Sequence, residues 1–462
     1  MENTKKTKKY TIDLVNGNIF INMVKYSIPL ILTGILQLLY NAADLVIVSN
    51  FSNDSSALGA VGSTSSLINL IVNLFMGLSV GTNVLAARKF VTKDKVGMNK
   101  VVHTAFIVGL SAGIMLGLFG FFAAETLLAL MANPIPKAVT YLKIYFIGLP
   151  FSLLYNFMAS ILRGIGDTKR PLYFLGISGL INVALNFFFV TVFNMSVEGV
   201  ALGTIISQFV ACMMIMVCLI KTKDIYHFRF KDLRVSKTNL LEMLKIGLPA
   251  GIQGSIFSIS NVLTQSSVNA FGETAINGVT AATSIEGFVY TSMNALYHAS
   301  LSFTSANVAA KKSLNLKKVL LSGLTIVSII GVGMGGTFFI FGKNLLKIYT
   351  TIPAEIEVGY LKMHYLCLPY FLCGIMDVVS GSLRGLGYSF VPMLVSIVGI
   401  CGFRILWIYL VFRQMTDFTD YQDLNLLFIS YPISWIITFI VHLTCYIFLC
   451  KKEIKQMKIL ID

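Results

Sequence analysis

The sequence predicts an all-α membrane protein: about twelve transmembrane helices in two six-helix bundles, related by a pseudo-two-fold axis along the membrane normal. Three observations lead there. Hydrophobic residues make up 56% of the 462 and charged residues only 12%, with a mean hydropathy of +0.78, whereas soluble domains carry about 25% charge. Apolar runs long enough to cross a bilayer recur along the whole chain, and landmarks of the first half return in the second.

A run of about 20 apolar residues spans the hydrocarbon as a helix. Such runs fall at 26–49, 57–86, 102–124, 139–161, 171–193, 198–220, 244–269, 275–305, 319–341, 358–382, 391–412 and 425–450. The basic stretch from Met1 to Tyr10 precedes the first. That run is too long for a signal peptide and lacks a small-residue cleavage pattern, so it reads as a retained span. The second and eighth runs exceed the hydrocarbon thickness and must tilt or project beyond it. Glu2 and the terminal Ile-Leu-Ile-Asp462 carry no lipidation signal, so the helices are expected to be the only membrane anchor.

Lys and Arg set the orientation of such a bundle. On alternate loops they divide 29 to 6, with Arg404 inside a span. Both termini share the richer side and are expected in the cytoplasm of a bacterial cell membrane. The net charge of +15 therefore reflects topology rather than a nucleic-acid partner.

The polar stretch from Lys221 to Asn239 is the longest and reads as a cytoplasmic linker, dividing an N-terminal bundle, 1–236, from a C-terminal bundle, 237–462. A repeat runs across it. Leu162-Arg-Gly-Ile-Gly166 returns as Leu383-Arg-Gly-Leu-Gly387 at an offset of 221, each followed by a proline, Pro171 and Pro392. Pro29 and Asn41 return as Pro249 and Asn261 at 220, and Pro150 as Pro369 at 219. An even number of spans separates equivalents, so both halves share one orientation.

Several chemistries are excluded. Six of the seven cysteines lie in apolar spans and Cys450 ends the last, which offers neither a disulfide framework nor a metal pair. Gly331-Val-Gly-Met-Gly-Gly336 imitates a dinucleotide fingerprint without the preceding strand, and helix packing is the better account. From Gly336 to Lys343 the spacing is one residue too long for a phosphate loop, and Asn344 stands where Ser or Thr is required. His103, His227, His298, His364 and His442 are scattered; only His298 and His364 are candidates for proton relays. No cofactor and no resident metal are expected beyond a coupling sodium ion or proton.

Three carboxylates fall inside spans: Asp44 in the first, Glu286 in the eighth and Asp377 in the tenth. An acid at mid-span costs roughly 2.5–3.5 kcal/mol, so each must meet water, a cation or a partner. Asn41 lies on the face of Asp44, and Asn182 with Asn186 forms an i, i+4 pair on the fifth span. Neutral amide oxygens around one carboxylate suit a small hard cation, although asparagines also bond helix to helix in membranes. Arg404, taken as the only buried cation, could neutralise one of the acids.

Tyr40-Asn-Ala-Ala-Asp44, the two Leu-Arg-Gly-x-Gly turns, the run from Met376-Asp377 to Arg384 and the repeated six-span halves resemble the multidrug and toxic compound extrusion family along essentially the whole chain. The resemblance implies two bundles in a V, cation-coupled export and substrates that are often cationic and amphipathic. It implies that Asp44, Asn182, Asn186 and Thr204 form a cation site of the N-terminal half, and that Asp377 is the acid of the C-terminal half. Asn186 stands where many members have Asp. The seventh span carries Gln253 and Asn261 but no acid, and Glu286 could substitute. With Asn156 of the fourth span, these residues complete the expected substrate and coupling set.

The expected function is export of organic compounds from the cytoplasm by alternating access, driven by sodium or protons, in a monomer embedded in the lipid bilayer. A lipid or lipid-linked saccharide flippase is the nearest rival and needs a strongly cationic cavity. A membrane enzyme would need a clustered catalytic set at one membrane face, which is not apparent. A facilitated channel would move solute without a counter-ion.

Overall fold

A computed structural model describes residues 10–51, 57–130 and 136–459; within these, side chains at 48–51, 57–63, 65–67, 69–71, 130 and 136 are left undescribed. The basic start of the N-tail and the last three residues lie outside that description. Among the described residues the chain is helical throughout and forms no strand, as hydrocarbon requires of backbone that cannot turn to water for hydrogen bonds.

The N-terminal helices are α1 (Ile19–Phe51), α2 (Ala57–Val91), α3 (Lys95–Leu130), α4 (Pro136–Gly164), α5 (Lys169–Thr191) and α6 (Val197–Lys221). In the second half come α7 (Lys237–Asn269), α8 (Glu273–Ala309), α9 (Ser313–Ile340), α10 (Pro353–Leu366), α11 (Tyr370–Leu386), α12 (Phe390–Met415) and α13 (Ser430–Ile459). With α10 and α11 counted as one span, the twelve expected segments are present. That tenth span is not straight. Its halves bend by 46° at a break that contains Pro369, where a proline removes a helical N–H and clashes with the preceding turn. Among the described residues, nine helices are individually long and apolar enough to cross a membrane, and the bent pair makes ten. Of the two others, α8 is rich in Ser, Thr and Asn and buries much of its surface against its own bundle, so it needs less lipid-facing apolarity.

The chain forms two compact units, one comprising Met1–Ile12 and Leu32–Gly251, the other Asp13–Ile31 and Ile252–Asp462. Helices α1 and α7 therefore each begin in one unit and end in the other, and each changes unit just after its interior proline, Pro29 or Pro249. The linker is no free tether. Tyr226 and Phe228 are buried in the first unit, His103 stacks on Phe228 at 4.9 Å, and its Nε2 sits 2.9 Å from the Arg229 carbonyl. At the start of α3, Asp94 accepts the Gly97 N–H at 2.8 Å and pairs with Lys89, and these two contacts hold its carboxyl below the usual carboxylate range.

The repeated Leu-Arg-Gly-x-Gly turns prove to be helix ends. Gly166 and Gly387 adopt φ of +92° and +107°. The Asp167 N–H reaches Leu162 O at 2.8 Å, and the Tyr388 N–H reaches Leu383 O at 3.0 Å. This is the Schellman closure of α4 and α11, which needs a residue free to adopt positive φ. The preceding glycine has another role. A Cβ on Gly164 would press on the Asn83 carbonyl of α2, and one on Gly385 on Thr304 and the Leu301 carbonyl of α8. Gly387→Ala should cost about 1–2 kcal/mol for the left-handed backbone. Gly385→Val should cost more, since it overpacks a helix crossing. Thermal unfolding of the solubilised protein should rank them in that order.

Candidate cation site and buried charges

In the first unit α1 and α5 meet along a face of small and polar residues. The Tyr40 ring lies on Gly179, where any Cβ would overlap it, and its hydroxyl donates to Gly176 O at 3.1 Å. One turn further along α1, Asp44 is half-buried and its Oδ1 accepts from Asn186 Nδ2 at 2.5 Å. Helix α6 closes the other side. Ser178 Oγ donates to Ser207 O at 2.6 Å, Asn182 Nδ2 donates to Thr204 Oγ1 at 3.3 Å, and Thr204 Oγ1 donates to Val200 O at 2.9 Å. Gly203 is what lets α6 approach, because a Cβ there would run into the Asn186 amide oxygen.

With both Asn NH2 groups engaged, Asn182 Oδ1 and Asn186 Oδ1 are buried without a hydrogen-bond donor among the described residues. Two donor-free amide oxygens beside a carboxylate and a hydroxyl form an all-oxygen set suited to a small hard cation. Asp44, Asn182, Asn186 and Thr204 thus come together. Asn41 is exposed, and no hydrogen bond among the described residues ties it to the group. Asn156 of α4 is occupied by its own helix, donating to Ser152 O at 2.8 Å. Sequence reasoning passed over Tyr40, Gly179 and Gly203 as functional positions. Glycines inside otherwise apolar helices were the available signal.

The second unit is arranged differently. Lys362 on α10 is 3.2 Å from Glu286 on α8, both side chains being almost fully buried, and Lys362 also donates to Thr283 at 2.6 Å. Arg384, expected in a turn, lies in α11, where it donates to Tyr297 Oη at 2.5 Å and Gln253 Oε1 at 2.6 Å. The expectation that Arg404 is the only buried cation is therefore corrected: Lys362 and Arg384 are buried as well. The sequence counts both with the charges of the membrane sides, Lys362 near the start of the span 358–382 and Arg384 just past its end, while folding brings polar partners to them. Asp377 on α11 is half-buried and forms no hydrogen bond among the described residues, with Tyr290 and Cys373 within its electrostatic reach. Asn261 is exposed. Of the two relay candidates, His364 is exposed and edge-on to the Phe339 and Tyr365 rings, and His298 packs on Tyr297. No group of three or more His, Cys, Asp or Glu side chains gathers among the described residues.

Twelve helical segments with a cluster of polar oxygens inside one bundle fit a multi-pass membrane transporter. The sequence profile of the MatE family matches residues 29–188 and 249–410, well over half of the chain, and the protein belongs to that family. Its curated relatives include the Probable multidrug resistance protein YpnP of Bacillus subtilis, 28% identical over 81% of this chain and 84% of the relative. YoeA of the same organism, also a probable multidrug resistance protein, is 25% identical over 94% of each chain. Among solved structures, an outward-facing multidrug resistance MATE family transporter of the MOP superfamily superposes with a TM-score of 0.85 at 23% identity, covering 97% of this chain and 98% of the other.

Two outcomes follow. Gly203→Ala should displace the Asn186 amide and reduce gradient-driven efflux as far as Asn186→Ala does, while the purified protein still unfolds cooperatively. Lys362→Met, which strands a buried Glu286, should destabilise by about 3–5 kcal/mol, and the double variant Glu286→Gln/Lys362→Met should regain most of it. A double variant that is stable yet inactive in efflux would instead place this pair in transport.

Proposed function

We propose that the protein is a cation-coupled antiporter that exports organic, amphipathic cationic compounds from the cytoplasm by alternating access. The named relatives support a drug exporter and give no support to a lipid or lipid-linked saccharide flippase. One observation carries the coupling: Asp44 bonds Asn186, and the amide oxygens of Asn186 and Asn182 are buried with no donor among the described residues. Asp44 supplies the full negative charge, and Asn182, Asn186 and Thr204 supply neutral oxygens that replace part of the hydration shell of an entering ion. Either sodium or a proton carried with water suits that set. The Lys and Arg bias of the loops supports cytoplasmic termini. Occupancy of the site by a cation from outside and release of solute are then two sides of one exchange, since the Asp44 charge is costly in hydrocarbon when left uncompensated.

Dye efflux from vesicles with sodium and proton gradients imposed separately tests this reading. One gradient should accelerate efflux, and Asp44→Asn should bring the driven rate to the protein-free background without loss of membrane insertion. Unchanged efflux in that variant removes the mechanism, and efflux indifferent to both gradients leaves an uncoupled pore.

A further inference from the structure

Arg404 stands apart from the other buried cations of the second unit. Its side chain is 6% exposed, yet its one hydrogen bond among the described residues runs from Nε to Ser434 Oγ at 3.2 Å. Among the described residues no carboxylate pairs with it, and its two terminal nitrogens have no acceptor. The guanidinium carbon lies 3.8 Å from the centre of the Tyr431 ring and 5.8 Å from that of Trp435, and Tyr370 packs against Trp435 at 5.2 Å. Stacking of this kind fixes the guanidinium plane and leaves its outer edge as a fork of N–H donors. The backbone is unusual at the same place. Helix α12 winds as π-helix over Ile397–Gly402 and Ile408–Phe412, on either side of the short α-helical stretch that carries Arg404, and such turns recur at functional sites. The cation within electrostatic reach of Asp377 is Arg384, so the acid of this unit is not the partner of Arg404.

A permanently charged group held inside a span without a counter-ion calls for an anion from elsewhere. We propose that Arg404 anchors an anion subsite of the second unit that takes the carboxylate of an aromatic solute. A carboxylate meets a guanidinium edge with two parallel hydrogen bonds, and the half-buried rings of Tyr370 and Tyr431 offer apolar surface for an aromatic body beside it. The subsite broadens the exporter's range from cations to solutes that carry an acidic group. It rests on the exporter reading only in naming its occupant as a transported solute.

Binding of 1-pyrenebutyrate, and of 1-pyrenebutanol as its uncharged counterpart, to the purified full-length protein in nanodiscs tests the proposal. The readout is quenching of tryptophan fluorescence, with Trp435 close to the site. No gradient is imposed, so failure of the exporter reading appears in vesicle efflux and failure of the subsite appears here. The wild type should bind the carboxylate at least tenfold more tightly than the alcohol. Arg404→Gln should abolish that preference, and Arg404→Lys, which keeps the charge but loses the fork and the stack, should retain only part of it. Should Arg404→Gln not fold, the wild-type preference and its reduction in Arg404→Lys carry the test. Equal wild-type affinity for the two probes overturns the proposal, as does an undiminished preference in Arg404→Gln. Displacement of the carboxylate probe by phosphatidylglycerol but not by benzoate also overturns it, since the occupant is then a lipid phosphate.

Discussion

Hydrocarbon offers no partner to a polar atom, and that constraint shapes every level of this protein. The backbone meets it by remaining helical. Hydroxyls meet it by bonding back to the carbonyl one turn earlier, as Thr204 does to Val200 and Thr283 to Val279. Charges meet it in pairs, as Glu286 does with Lys362. Among the buried polar atoms left without a partner within the described residues are the two amide oxygens of Asn182 and Asn186, and these carry the functional reading. In water such groups would be unremarkable, because solvent would satisfy them.

Placing polar groups against one another inside a bundle requires close backbones, and glycine supplies the space. Gly179 admits the Tyr40 ring and Gly203 admits the Asn186 amide, so the absence of two side chains lets α1, α5 and α6 close around the Asp44 cluster. Gly164 and Gly385 do the same at equivalent helix crossings in the two units, and Gly166 and Gly387 close the helices just beyond. A repeated pentapeptide thus encodes one structural device twice, first as close approach and then as helix termination.

The duplicated scaffold does not carry duplicated chemistry. In the first unit a carboxylate is surrounded by neutral oxygens. In the second, an acid, a buried ion pair and two arginines share the interior with tyrosine and tryptophan rings. The repeat keeps glycines, prolines and helix ends, which fix backbone paths, while the polar and charged residues inside the two bundles differ.

Composition and spacing by themselves determined the helical membrane fold, the number of spans, the repeat and the acids that could not be idle, because the cost of polarity in hydrocarbon is local and can be read residue by residue. Asp44 with Asn182 and Asn186 was legible for that reason. Partner choice was not. Sequence gave no sign that Lys362 would reach Glu286, that Arg384 would take Gln253, that Asn41 would be left outside the cluster, or that Arg404 would find rings instead of an acid. Each of these depends on which faces of distant helices meet, and so on crossing points set by glycines and by the bend at Pro369. Tertiary structure decided which buried charges were satisfied and which were left available for binding.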